Sequence, residues 1–98
     1  MIFADENARR QLLEKGVVYT FRVHRYAEGR DWATDRRRGK KICDINVEFI
    51  KKVDFKEELM PYAEESGFEH VWDWLSAIYK LNPKLKKIEG YLYKVTKL

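Results

Sequence analysis

The sequence predicts a single α+β domain, a small curved mixed sheet closing toward a β-barrel with helices packed over its ends. Three observations predict it. The chain has 98 residues, and cores become comfortable at about 100–150 residues, so dividing it would leave halves too small to bury much surface. Its apolar share of 45% and aromatic share of 14% belong to a globular protein, and the abundant charges are mixed among large apolar residues rather than blocked into disordered tracts. Helical and strand periodicities alternate along the chain, with too few strands for an open, doubly wound sheet.

From the N-terminus, Asp5 to Lys15 has a capping residue in Asp5, an acidic first turn at Glu6, an apolar stripe through Ala8, Leu12 and Leu13, and Gly16 as a stop. Together these predict a short helix. Val17 to Arg25, "VVYTFRVHR", is rich in β-branched and aromatic residues and predicts a strand. Its alternation assigns Val17, Tyr19, Phe21 and Val23 to an apolar face and Val18, Thr20, Arg22 and His24 to a polar one. Tyr26 to Gly39 holds no sustained period and contains two glycines, which predicts a long loop or irregular hairpin connection. Lys41 to Val53 alternates Cys43, Ile45, Val47 and Phe49 against Asp44, Asn46 and Glu48, the pattern of a half-buried strand. Lys56 to Ala63 predicts a short helix carrying Pro61. Ser66 and Glu69 have capping-box spacing, and Phe68, Val71, Trp72, Leu75, Ile78 and Tyr79 form a helical stripe closed by Asn82-Pro83. The stripe predicts Trp72 in the core and leaves Trp74 for a groove, a partner or solvent. Gly90 to Leu98 alternates again as a final strand.

Composition narrows the function classes. No stretch approaches the roughly 20 apolar residues of a spanning helix, and the N-terminal segment lacks the basic and apolar regions of a signal peptide, so a cytoplasmic protein with no membrane partner is expected. The one cysteine, Cys43, lies inside strand alternation and is expected as a small buried hydrophobe, so no disulfide framework exists. Two scattered histidines give no metal-ligand spacing, and no cofactor is expected. The formal charge is +4, yet Arg22 to Lys41 alone carries eight Lys or Arg against three acids. That local excess, with "DRRRGKK" (residues 35–41) at its centre, suits a phosphate backbone or another acidic partner.

Three segments carry a family resemblance. They are "LLEKGVVYTFRVHR", "RRGKKICDINVEFIKKV" and "YAEESGFEHVWDWLSAIYKLNP" with "GYLYKV" after it. In this order, nearly the whole chain resembles a small stand-alone ASCH domain, a member of the PUA-like superfamily associated with RNA. The third segment is the closest match, with its A-x-x-x-G-F preceding an aromatic helix and a last strand. In the first, the lysine position of the family's G-x-K-x-x-E-x-R turn falls on Val18, and Arg22 arrives one residue early. The resemblance implies a PUA-like β-barrel with a central cleft, binding RNA. Some ASCH proteins are ribonucleases, and others are amidohydrolases acting on acetylated cytidine through a Lys, a Thr and a Glu. By that resemblance Thr20, Arg22 and Glu64 (or Glu65) are the candidate catalytic residues, without a matching lysine.

The readings are therefore an RNA-binding domain, an RNA-acting enzyme of the ASCH type, and a protein-interaction module for an acidic partner. Binding assigns phosphate contacts to Arg30, Arg36, Arg37, Arg38, Lys40 and Lys41, whose guanidinium forks and ammonium groups match phosphate oxygens; Arg22, with Thr20, is expected to give polar contacts inside the cleft, and Arg25 to join the nucleic-acid-binding surface. Trp32, an aromatic among arginines without apolar neighbours, is the expected stacking platform for an unpaired base. The solvated-face alternative holds for each charge: Arg22 and Arg25 are equally satisfied by Asp44 or Glu48 on the neighbouring strand.

Overall fold

The computed structural model describes residues 1–98. Helix α1, Glu6–Lys15, begins where the Asp5 carboxylate accepts the backbone N–H groups of Asn7 and Ala8, and it ends at Gly16 with a φ of 79°, a left-handed C-cap that favours glycine. Then come β1 (Val17–Arg22), β2 (Gly29–Ala33), β3 (Cys43–Val53), two 3-10 segments (Lys56–Tyr62 and Glu64–Ser66), α2 (Val71–Leu81) and β4 (Gly90–Lys97). Neither helix is long and apolar enough to cross a membrane.

The strands form one sheet in the order β1-β4-β3-β2, and every adjacent pair is antiparallel. The expected α+β class is observed, but the sheet is antiparallel rather than mixed; the sole parallel contact is an isolated bridge between Ile2 and Thr34. The sheet is open, with β1 and β2 as its edges. The segment Tyr26 to Gly39 is not a continuous loop, because it contains β2. That strand escapes periodicity analysis for a physical reason: it is an edge strand with only Ala33 buried, so polar side chains satisfy it and no apolar alternation is required.

Both faces of the sheet are covered. On one, Leu12 of α1, Phe3, Val18, Val47, Tyr93 and Val95 pack in one cluster. On the other, Phe21, Val53, Leu59, Trp74, Leu75, Ile78 and Leu92 pack in a second, under α2 and the first 3-10 segment. The supposed polar face of β1 is therefore an interior face: Val18 is 0% and Thr20 8% exposed. Thr20, Arg22 and His24 at alternate positions pass as a solvent face in sequence, yet here the N-terminal arm and α1 lie over Val18 and Thr20.

Strand β3 serves both clusters. Its register against β4 slips between Phe49 and Lys51, a β-bulge that inserts one residue and reverses the facing of the rest of the strand. Ile45 and Val47 thus belong to the first cluster and Val53 to the second, although all three share one parity in the sequence.

The two tryptophans of α2 exchange their expected places. Trp74 is 4% exposed and Trp72 65%. The axis Val71, Leu75, Ile78 has an aromatic flank on either side, Trp72 with Tyr79 or Trp74 with Leu81, and spacing does not decide between them. The helix settles on Trp74, leaving Trp72 outside with the Lys56 ammonium 5.7 Å from its ring centroid. Ser66 does not cap this helix, whose N-cap is His70; the buried Ser66 hydroxyl donates to the Ala63 carbonyl and accepts the Phe68 N–H.

Glu58 joins β3 to the first 3-10 segment. Its Oε2 accepts the N–H groups of Asp54 and Phe55 at 2.7 and 3.0 Å, and its Oε1 pairs with Lys51. The Lys51 contact, then the two backbone donors, lower the pKa of its carboxyl from 4.5 to about 2.

The packing of α2 is open to a direct check. Trp74→Ala should cost about 3–5 kcal/mol in chemical denaturation, whereas Trp72→Ala should change stability by less than about 1 kcal/mol; equal losses would contradict the packing. Because the Glu58 carboxyl titrates lower when folded, its stabilisation is complete above about 4.5 and fades as pH falls toward about 2. The difference in melting temperature between the parent protein and Glu58→Gln should therefore shrink across that window, and a pH-independent difference would rule out the linkage.

Candidate nucleic-acid interface

The end of β1 carries the most unusual charge in the molecule. Arg22 lies beyond Thr20 on the face covered by the N-terminal arm, and its Nε donates to Thr20 Oγ1 at 3.2 Å. Its guanidinium carbon lies 4.9 Å from the centroid of the Phe3 ring and 5.5 Å from that of Tyr26. Arg22 takes part in none of the protein's ion pairs. Burial lowers its pKa from the ordinary arginine value, while Tyr26 acts in the opposite direction; an arginine remains cationic throughout. The result is a half-buried, partly desolvated positive charge supported by two rings and a hydroxyl but by no carboxylate.

The second ring is itself held in place. Tyr93 is fully buried in the centre of the sheet, and its hydroxyl accepts the Tyr26 N–H at 2.7 Å while donating to the Tyr26 carbonyl at 3.3 Å. Both backbone polar groups of Tyr26 are thus satisfied by one side chain on β4. This bond fixes the connection between β1 and β2 where it passes Arg22.

Arg22 lines a cleft of about 440 Å³, within the range of small-ligand sites. One wall is the N-terminal arm with Phe3 and Asp5, a second is the end of β1 with Thr20, Arg22 and His24, and a third is α2 with Trp74, Ile78 and Asn82. Arg37 enters from the basic turn. Asp5 is occupied in capping α1, and the Asn82 amide donates to the Ile78 carbonyl. No cluster of three or more His, Cys, Asp or Glu side chains forms anywhere in the fold, so the chemistry on offer is charge, hydrogen bonding and aromatic contact.

The sequence-derived residues divide by position. Thr20, Arg22 and Arg37 meet at the cleft. Arg36, Arg38 and Lys40 are exposed on an ordered turn, in which Gly39 donates to the Arg36 carbonyl at 2.9 Å and Arg38 adopts a φ of 61°. A Cβ at Gly39 would lie 2.8 Å from Asp35 Oδ1 and 2.9 Å from the Arg36 carbonyl oxygen, so the turn depends on glycine there. Lys41 pairs with Asp44 at 3.0 Å. Arg30 and Trp32 lie on the edge strand β2, with Trp32 57% exposed. Arg25 stacks over Phe49 and Tyr91, 5.3 and 5.7 Å from their centroids, and forms no pair with Asp44 or Glu48. Glu64 and Glu65 are exposed on the second 3-10 segment and do not line the cleft. Cys43 is half-buried at the margin of the first cluster, where desolvation raises its thiol.

Sequence reasoning missed Phe3, Tyr26 and the Tyr93 hydroxyl. Phe3 precedes a helix cap and Tyr26 begins an aperiodic segment, so neither carries a local signal. Their roles arise from contacts across the sheet. Comparison with family models, with curated proteins and with solved structures finds no match for this chain.

The clamp on Tyr26 is testable. Tyr93→Phe keeps the ring but leaves a backbone N–H without its partner, at a cost of about 1–3 kcal/mol. Amide hydrogen exchange at Tyr26 should accelerate more than at the centre of the β1–β4 ladder; unchanged exchange there would show that the hydroxyl does not hold the segment.

Proposed function

We propose that this protein binds RNA, seating a phosphate against Arg22 in the cleft and drawing the flanking strand across the basic turn. The observation that carries the reading is Arg22: a desolvated guanidinium with no carboxylate partner, oriented by Thr20 and placed on a cleft of about 440 Å³. Burying a charge without a partner costs several kcal/mol, and a planar fork is suited to bidentate recognition of phosphate oxygens. Arg37 adds a second cation at the mouth. Arg36, Arg38, Lys40 and Lys41 supply exposed charge for the backbone, and Arg25 and Arg30 extend it along both edges. The exposed Trp32 offers an aromatic face for an unpaired base.

The likeness to ASCH domains favours RNA over duplex DNA and a cytoplasmic setting. It also supports reading the sheet as an opened PUA-like barrel: the N-terminal arm bonds to the end of β2 at Thr34 while Phe3 stacks on Arg22 of β1, so it spans the gap between the two edges. An RNA-acting enzyme at this cleft has the Thr20 hydroxyl and the His24 imidazole to draw on, but Glu64 lies elsewhere and the lysine position is the buried Val18. Binding uses all the groups present, whereas proton transfer lacks a carboxylate free of other work.

Fluorescence anisotropy against single-stranded RNA, single-stranded DNA and duplex DNA over a range of salt tests the proposal. RNA should bind with an affinity falling steeply with salt, and Arg22→Gln should weaken it at least about tenfold while lowering the log-log salt slope by about 0.7. Replacing Arg36, Arg37 and Arg38 with serine should lower the slope by about 2. RNA recovered after incubation should be intact. If both variants melt normally and bind RNA as the parent does, the interface is elsewhere and the proposal fails.

A further inference from the structure

A second cationic groove adjoins the cleft. It is an open surface depression of about 460 Å³, lined by Lys52 at the end of β3, Gly90 and Tyr91 at the start of β4, and Lys84, Lys86 and Lys87 of the connection between α2 and β4. Val23 lines both cavities, so the groove continues from the end of β1 where the Arg22 cleft stops. In sequence these lysines are dispersed over more than thirty positions and fall outside the arginine-rich segment. Only the β3–β4 pairing of Lys52 with Tyr91 and the return of the chain after α2 bring them together.

Several features make this a built surface rather than a loose tail. The lysine-bearing connection is anchored from within: Ile88 is buried in the α2 cluster and Leu85 packs against it, while the Leu85 N–H donates to the Asn82 carbonyl at 2.9 Å. Lys84, Lys86 and Lys87 alternate outward around these anchors. Gly90 is required at the groove floor, since a Cβ there would lie 2.5 Å from the Arg22 carbonyl oxygen and 2.7 Å from Phe21. The groove keeps a net positive charge, although Glu89 also lines it and two of its four lysines are paired. Lys52 meets Asp54 at 3.1 Å and Lys87 meets Glu89 at 3.7 Å in exposed pairs, which contribute little, and Lys84 and Lys86 have no carboxylate partner. Tyr91 on the groove wall is also the ring over which Arg25 stacks, so a cation and an aromatic face lie at the junction with β1.

We propose that this lysine groove is a second phosphate-binding surface, over which a single RNA strand anchored in the Arg22 cleft continues past Arg25 and Tyr91 toward Lys84, Lys86 and Lys87. The inference rests on the RNA-binding reading of the cleft and adds to it a direction for the path and a minimum ligand length. A mono- or dinucleotide occupies the cleft alone. A longer strand uses both surfaces and gains the ammonium contacts of the groove, so affinity rises with length until the groove is filled.

The test compares labelled oligouridylates of about 2 and about 10 nucleotides, lengths on either side of the smallest single-strand sites, against the parent protein, Arg22→Gln, and the triple variant Lys84→Gln, Lys86→Gln, Lys87→Gln. All three lysines are exposed, so the triple variant should melt like the parent. It should bind the longer strand at least about tenfold more weakly with a salt slope lower by about 2, and bind the short one unchanged; Arg22→Gln should weaken both. If the triple variant binds the longer strand as the parent does while Arg22→Gln weakens it, the groove is not a binding surface although the cleft is. Equal weakening for both lengths would also overturn the proposal, because the lysines would then act on the cleft through general charge. A parent protein that binds neither length removes the groove and the RNA reading together.

Discussion

The bulge at Ile50 is the constraint on which the remaining architecture depends. A strand of regular period two sends Ile45, Val47, Phe49 and Val53 to the same face, and this sheet has two faces to cover. By inserting one residue between Phe49 and Lys51, β3 places its first half against α1 and the N-terminal arm and its second half against α2. Without it, Lys52 rather than Val53 would face the α2 cluster, and a lysine left unpaired in that interior is more costly than the lost packing. The same inversion leaves Lys52 beside Tyr91 on the outer side, so one inserted residue both closes the second core and sets the charge at the adjoining groove.

Covering both faces also explains how Arg22 comes to be desolvated. The N-terminal arm lies over the face that bears Val18, Thr20 and Arg22, and α2 closes the side behind it. Magnitudes decide what the surroundings achieve. Two cation–π contacts contribute about 0.5–2 kcal/mol each and the Thr20 bond about 1 kcal/mol, against a desolvation penalty of several kcal/mol for an ion without a partner. The rings and the hydroxyl orient the guanidinium and offset part of that penalty, and in the proposed binding mode an anion in the cleft would supply the rest. The Tyr93 hydroxyl belongs to the same arrangement, since it fixes Tyr26, one of the two rings, from the centre of the sheet.

The elements that obey local rules were legible from the sequence. The Asp5 cap and Gly16 stop delimit α1, and alternation locates β1, β3 and β4 to within a few residues, because each feature depends on neighbours in the chain. Where the outcome depends on what packs across the sheet, the sequence is ambiguous. Trp72 and Trp74 flank the same helical axis, and only the position of β1 and β4 beneath α2 selects the buried one. Strand β2 is polar because its single partner is β3 and its far side is largely open. In the site, Thr20, Arg22 and Arg37 were each identifiable as candidate residues but not their meeting at one cleft, whereas Phe3, Tyr26 and Tyr93 have roles that exist only through contacts between distant parts of the chain, 67 positions apart for Tyr26 and Tyr93.

The arginine run and the half-buried Arg22 answer to different electrostatics, and in the proposed binding mode this difference would bear on selectivity. Arg36, Arg38 and Lys40 are exposed, so their attraction is screened over about 8 Å at physiological salt; they gather any polyanion and speed its approach. Arg22 is half-buried at the cleft, and an interaction there is screened less than at the exposed turn. A glycine-dependent turn keeps the exposed cations ordered around the mouth of the cleft, with Arg37 reaching in. In the proposed binding mode, long-range attraction would deliver the ligand to a site whose own contribution is short-ranged and geometric. A duplex presents phosphates only on the outside of a rigid cylinder, so under the proposed reading it would satisfy the exposed cations without reaching Arg22. Under the proposed RNA reading a flexible strand would satisfy both, so the depth of one arginine, rather than the number of charges around it, would separate the two ligands.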